Sequence, residues 1–152
     1  MKETERIIKL FESLYDGSPW IDVTIVGTVK NITAEQAAKK INTDRNSIWE
    51  IVNHLIYWRL TVLQRMQGTI VVFPDSNYFE PVKNTSESAW KNTLEKFKDS
   101  QQKWIDFLET FSENDFEKLV QNKTMTYYEH IHGIIQHDSY HLGQITLLSK
   151  LI

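Results

Sequence analysis

His137 and His141 stand four residues apart in the run His137-Asp-Ser-Tyr-His141, near the end of a chain of 152 residues with five histidines and no cysteine. On a helix that spacing is a rise of about 6 Å with both side chains on one face. Two imidazoles so placed can converge on one divalent ion, as they do on zincin helices. A zincin carries Glu directly after its first histidine as general base, whereas Asp138 follows His137 here. Two histidines are also too few ligands. His54, in the strongly apolar stretch Ile51-Val-Asn-His-Leu-Ile56, is the one histidine outside the C-terminal quarter.

Two readings stand side by side. His54 fits a core histidine whose ring nitrogens find protein partners, with His137 and His141 a half-exposed helical pair. Alternatively, the three share one ion. Three imidazoles buried without metal leave several nitrogens in need of partners, at about 1–3 kcal/mol for each one unsatisfied. A divalent ion satisfies one nitrogen on every ring at once, and spacing alone does not choose. The absence of cysteine excludes disulfides, iron–sulfur clusters, thiolate zinc sites and a cysteine nucleophile. The net charge of −3 gives no electrostatic reason for a nucleic-acid or anionic-membrane partner. Lys91, Lys96, Lys98 and Lys103 interleave with Glu95 and Asp99 as a solvated helix face.

The elements that must carry these residues are helical. Ile7, Ile8, Leu10, Phe11, Leu14 and Tyr15 recur at three-to-four spacing over residues 2–15, and Asp16-Gly-Ser-Pro19 stops the pattern. Ile21 to Val26 suits an extended segment, while Thr33-Ala-Glu-Gln36 is a capping box for a short helix to Ile41. Ser47-Ile-Trp-Glu50 caps a helix to about Gln67, ended by Gly68. Thr69 to Lys83, with Pro74, Pro81 and the run Ile70-Val-Val72, is a long, partly extended connection. Ser86 caps a third helix through Phe111, Ser112-Glu-Asn-Asp115 opens a short turn, and residues 119–126 form a polar connection. Thr126-Tyr-Tyr-Glu129 caps the helix of the histidine pair. The expected fold is one all-α domain over residues 1–152, a four-helix bundle with long crossover connections.

Trp49-x4-His54-x3-Trp58 together with His137-Asp-Ser-Tyr-His141-Leu-Gly-Gln144-Ile resembles the DinB (DinB/YfiT) superfamily, and His130-Ile-His132-Gly133 falls where such proteins have a His-rich lead-in. The resemblance runs over essentially the whole chain. It implies a DinB-like four-helix bundle with a metal held by one histidine from the second helix and an HxxxH pair from the last: His54, His137 and His141. Three nitrogen ligands leave a coordination position open, the pattern of a catalytic site. Nickel, zinc and iron all accept imidazole, so the ligands do not select the divalent transition metal. Relatives include thiol S-transferases using bacillithiol, glutathione or mycothiol and a mycothiol-dependent maleylpyruvate isomerase, which implies a metal-activated low-molecular-weight thiol as cosubstrate. Lacking cysteine, the chain must take any such thiol from outside. The alternatives are a metal-dependent hydrolase, with Glu129 or Glu50 as weak candidates for its base, and a non-catalytic metal-binding stress protein.

Around this set, Gln144 lies one turn beyond His141 and can hydrogen-bond a ligand ring. His130 shares the ligand face two turns away and reads as a local cap rather than a pocket-mouth residue; His132 points elsewhere, into solvent. Asp138 is about 100° around the helix from His137 and reads as a surface charge or a contact to the N-terminal helix rather than a ligand or base. Gly143 suits a close helix approach. Trp49, Tyr57, Trp90, Phe97 and Trp104 sit at core spacing, with Trp58 a candidate pocket wall. The charged segment Met1 to Lys9 has no signal-peptide core and no apolar run approaches membrane length, so a cytoplasmic location is expected. Asn31-Ile-Thr33, Asn84-Thr-Ser86 and Asn122-Lys-Thr124 match the glycosylation pattern only by coincidence in that case. Related bundles often pair, and the aromatic surplus fits a homodimer, although no sequence feature locates its interface.

Overall fold

The computed structural model describes residues 1–121 and 124–152; Asn122 and Lys123 of the third glycosylation match, part of the 119–126 connection, lie outside the described residues. Helices α1 (Glu3–Tyr15), α2 (Ile25–Val29), α3 (Ala34–Ala38), α4 (Ile48–Met66), α5 (Glu87–Thr110) and α6 (Tyr127–Ser149) account for the regular structure, with a 3-10 turn at Glu113–Asp115. Among the described residues there is no strand, only an isolated bridge between Leu119 and Thr126. None of these helices is long and apolar enough to cross a membrane.

The starts follow local chemistry. Ser47 Oγ accepts from the Glu50 amide at 3.2 Å while the Glu50 carboxylate accepts from the Ser47 amide at 2.8 Å. Thr126 and Glu129 repeat the exchange at the head of α6, at 3.2 and 2.7 Å. Each reciprocal pair satisfies two of the amides that a helix N-terminus leaves without partners. At the far end of α4, Gly68 takes φ +91°, which a side chain would strain. The expected extended segment is not one: Thr24 accepts from the Gly27 amide and turns the chain into α2 at Ile25. Five β-branched residues in six lost to a side-chain cap. The run Ile70-Val-Val72 forms no strand either, and both Ile70 and Val72 are exposed.

The long helices contact in a ring, α4 against α5 and α6, and α1 against the same two. The core divides into two regions. Ile25, Val52, Leu55, Phe97 and Leu142 centre one, and Ile7, Phe11, Trp104, Leu108 and Ile131 the other. Trp49, Trp90, Trp104 and Phe97 are core as their spacing suggests, but Tyr57 is exposed and stacks on Tyr78 instead. Its position on α4 turns outward, under the connection that follows. Gly143 also departs from expectation: a Cβ built on it meets nothing within 4 Å, so no helix approaches it.

Between α4, α5 and α6 lies an ion pair. Arg59 is 1% exposed and donates through Nε and Nη2 to Asp138 Oδ2 at 2.9 and 2.7 Å, and through Nη1 to Gln101 Oε1 at 2.8 Å. Its guanidinium also lies over the Phe97 ring at 4.8 Å. Asp138 is therefore fully buried, not a surface charge. His137 sits at the edge of the core, so the rotation from it to Asp138 leads inward. Burial pushes the Asp138 carboxyl up, opposed by the Arg59 guanidinium, and its Oδ1 is buried without a partner.

Removing either member strands a buried charge, so Arg59→Ala and Asp138→Ala should each lower the unfolding free energy by about 3–5 kcal/mol. The joint replacement Arg59→Met with Asp138→Leu should recover most of that loss in urea titrations followed by circular dichroism. A double variant as unstable as the sum of the singles would contradict this account.

Candidate metal centre

Three helical positions converge. His54 comes from the second turn of α4, and His137 and His141 from consecutive turns of α6. One ligand atom from each ring lies within 4.8 Å of the other two. His54 is 1% exposed, His141 is buried and His137 half-buried. His54 Nε2 faces His137 Nε2 at 2.9 Å.

The outer nitrogens fix the tautomers. His54 Nδ1 donates to the backbone carbonyl of Asn77 at 2.6 Å, and His141 Nδ1 donates to Gln144 Oε1 at 2.7 Å. Gln144 is held in turn by donating to Tyr140 Oη at 3.1 Å. Both Nε2 atoms are left with their lone pairs free, as metal-binding histidines require. Two of the three rings thus carry the outer hydrogen bond typical of a ligand, and Gln144 takes the place expected for it.

His137 decides the fit. Its Nδ1 is buried with no partner. If Nδ1 carries the proton, a buried donor is orphaned and two Nε2 lone pairs face each other at 2.9 Å. If Nε2 carries it, Nδ1 is an orphaned acceptor. A cation among the Nε2 atoms removes the repulsion, and two nitrogens held at about 2.1 Å from one ion are about 2.9–3.4 Å apart. The donor set therefore fits a divalent transition metal, and all-nitrogen chemistry leaves nickel, zinc and iron equally suited.

Electrostatics keep the rings neutral. Burial pushes His54 down to about 4, more strongly than the Asn77 carbonyl raises it. His137 falls to about 3 through burial, then through His141, His54 and Arg59. His141 is lowered by burial against the opposing pull of Gln144 and Asp138.

The long connection after α4 supplies the rest of the site, which its β-branched start does not suggest. Asn77 and Tyr78 both adopt left-handed backbone, at φ 53° and 63°. Asn tolerates this region; Tyr is strained there by about 1–2 kcal/mol. The turn is held by Trp58 Nε1 donating to Asn77 Oδ1 at 2.8 Å and by a 2.8 Å hydrogen bond between Tyr78 Oη and Thr61 Oγ1. It aims the Asn77 carbonyl at His54 and stacks Phe79 on the His54 ring, 3.9 Å between centroids. The Pro-bounded connection was legible as a loop, but no residue type in it announces a contact to His54.

A cavity of about 360 Å³ reaches the trio at His137, walled by Trp58, Val62, Arg65, Asn77, His130 and Gly133 among others. Trp58 is thus a pocket wall. His130 both lines the cavity and caps locally, its Nδ1 3.1 Å from the Thr126 carbonyl. His132 is not solvated: it packs against Tyr128 at 4.2 Å, with Nε2 buried and unpartnered. Neither acidic residue considered as a base is free for that work. Glu50 is buried against Lys40 at 2.9 Å as well as Ser47. Glu129 lines the cavity rim but closes the α6 cap.

Because the folded histidines resist protonation, the unfolded chain takes up protons first as pH falls below about 6.5. The metal-free protein should keep full stability from these groups above that pH. It should lose it progressively on acidification until the folded rings titrate near 4 and 3. Urea midpoints between pH 7 and 5 should fall, and His137→Gln should flatten the slope by up to about 1.4 kcal/mol per pH unit. A slope unaltered by that substitution would sink the assignment.

The family model of the DinB superfamily matches residues 24–145, a span containing α2 through most of α6 and all three histidines. No curated protein matches the chain, and no solved structure does so either. The helical order, the histidine trio and the matched span agree: the chain belongs to the DinB superfamily.

Proposed function

We propose that His54, His137 and His141 hold a divalent transition metal that activates the sulfur of an external low-molecular-weight thiol for transfer to an electrophile. The observation that carries this reading is a trio of neutral imidazoles that a small-molecule-sized cavity reaches at His137, in a chain without cysteine. When bound, the ion supplies acidification of a coordinated thiol. The chain itself supplies ligand orientation through Asn77 and Gln144, and a wall of Trp58 beside the cavity. A hydrolase needs a positioned base for its water, and the tied carboxylates of Glu50 and Glu129 favour the thiol over it. A reducing cytoplasm, where such thiols are abundant, suits this chemistry.

Metal analysis of freshly purified protein should find about one divalent ion per chain, lost in His54→Ala. The loaded protein, given a low-molecular-weight thiol and an electrophile, should turn over, and should leave ester and amide substrates untouched without thiol. Ester or amide turnover in the absence of thiol would replace this reading with the hydrolase. Bound metal with silence in both assays would leave a metal-binding protein without catalysis. Gly133 offers a further check, since a Cβ there enters open space. Gly133→Leu should retain the metal and suppress turnover at least tenfold by filling the cavity.

A further inference from the structure

Arg65 is the one cationic side chain among the residues lining the cavity that reaches His137. It lies about five turns along α4 from the Ser47 cap, in the last turn of the helix. Its guanidinium is 5.5 Å from the centre of the Trp58 ring and 5.5 Å from that of Phe73. It makes one long hydrogen bond, from Nη2 to the Val71 carbonyl at 3.5 Å. Among the described residues no carboxylate lies within ion-pair distance of it, although Glu129 lines the same cavity. The Glu129 carboxylate is engaged by the Thr126 amide and hydroxyl at 2.7 and 3.0 Å.

The contrast with Arg59 is informative. That arginine, six positions earlier, is saturated by Asp138 and Gln101 in the core. Arg65 is held more loosely and by ring faces, which orient the plane of a guanidinium and leave its N–H edge free. A half-buried guanidinium so held keeps most of its five donors for an acceptor of planar, two-oxygen shape. Most of the remaining wall, Val62, Ile134, Met125 and Trp58, is apolar, with Asn77, Glu129, His130 and His137 as its polar members. An anionic group entering this cavity meets Arg65 as its one cationic partner, against the Glu129 carboxylate, which the Thr126 cap already engages.

We infer that Arg65 is the anchor for a carboxylate on the small molecule that occupies the cavity, so that the preferred ligand carries an anionic carboxylate at one end and its metal-binding atom at the other. This rests on the cavity being the substrate entrance of the proposed metal site. It adds a selection rule: thiols with a carboxylate are chosen over neutral thiols of the same size.

The test uses the full-length, metal-loaded protein and two probes, 3-mercaptopropionate and 2-mercaptoethanol, titrated by calorimetry. Wild type should bind the carboxylate probe about tenfold more tightly, the effect of one charge-assisted hydrogen-bonded pair. Arg65→Gln should bring mercaptopropionate down to the affinity of mercaptoethanol with metal content unchanged. Arg65→Lys, which keeps the charge and loses the fork, should retain part of the preference. Equal affinities in wild type, or a preference that survives Arg65→Gln, would overturn the inference. If neither thiol binds, the thiol reading has failed, and the anchor is judged by adding succinate. Saturable shifts of the Arg65 Nε–H and Trp58 Nε1–H resonances in wild type, with the Trp58 shift lost in Arg65→Gln, uphold it. Unmoved resonances reject it.

Discussion

The geometry of the histidine trio depends on a buried salt bridge. Arg59 lies five residues after His54 on α4, and Asp138 lies between the two histidines of α6. Their bond at 2.7 Å therefore ties the two helices together at the level where the imidazoles must meet. Apolar packing alone resists separation but permits small slides, because its energy depends on area and hardly on direction. A charge pair with two donors on one oxygen has a direction and a register. Gln101 from α5 and the Phe97 ring extend the constraint to a third helix. A bundle so bolted holds His54 Nε2 and His137 Nε2 at 2.9 Å although they come from positions 83 residues apart. The cost is desolvation of two charges, with Asp138 Oδ1 left unpaired. Such a cost is tolerable where specificity of helix placement matters more than stability.

A second constraint works on ring orientation. Helix register brings the histidines close but does not decide which nitrogen faces its neighbours. The Asn77 carbonyl and the Gln144 side chain do so by occupying Nδ1 of two rings. For Asn77 the chain accepts two consecutive left-handed residues, a local strain offset by the Tyr78 hydroxyl, the Tyr57 stack and the Trp58 indole. Strain placed directly against a candidate ligand is consistent with a turn whose purpose is to aim one carbonyl.

Much of the helical frame was legible from sequence because its signals are local. The capping boxes of Ser47–Glu50 and Thr126–Glu129 need only four residues each, and both are formed. The histidine trio was legible because four-residue spacing on a helix fixes direction for the pair, His54 was the one histidine outside the C-terminal quarter, and the family resemblance decided between a core histidine and a third ligand. Two things escaped. The Arg59–Asp138 pair occupies core stripes of its helices, since Val52, Leu55, Arg59 and Val62 share one face and Ile131, Ile134, Asp138 and Leu142 another. Opposite charges at apolar-stripe positions of two helices were a usable signal, but Asp138 was judged by its angle from His137 rather than from the isoleucines. The contacts of residues 73–79 left no such trace. A carbonyl oxygen is the same for every residue, so nothing in the identity of Asn77 marks it as the partner of His54.

The two arginines of α4 also separate stability from recognition. Each stands where the helix faces other parts of the protein, Arg59 buried and Arg65 half-buried, and each costs the fold some desolvation. Arg59 recovers that cost inside the molecule, through Asp138, Gln101 and Phe97. Arg65 does not: its ring contacts with Trp58 and Phe73 compensate in part, and its donors stay largely unused beside the cavity. An arginine held by ring faces with its hydrogen-bonding edge unsatisfied is organised in advance for a partner that arrives later. With three neutral imidazoles at one end, that edge at the other and no cysteine between, the chain provides geometry and charge, and any reactive sulfur would have to be carried in by a ligand.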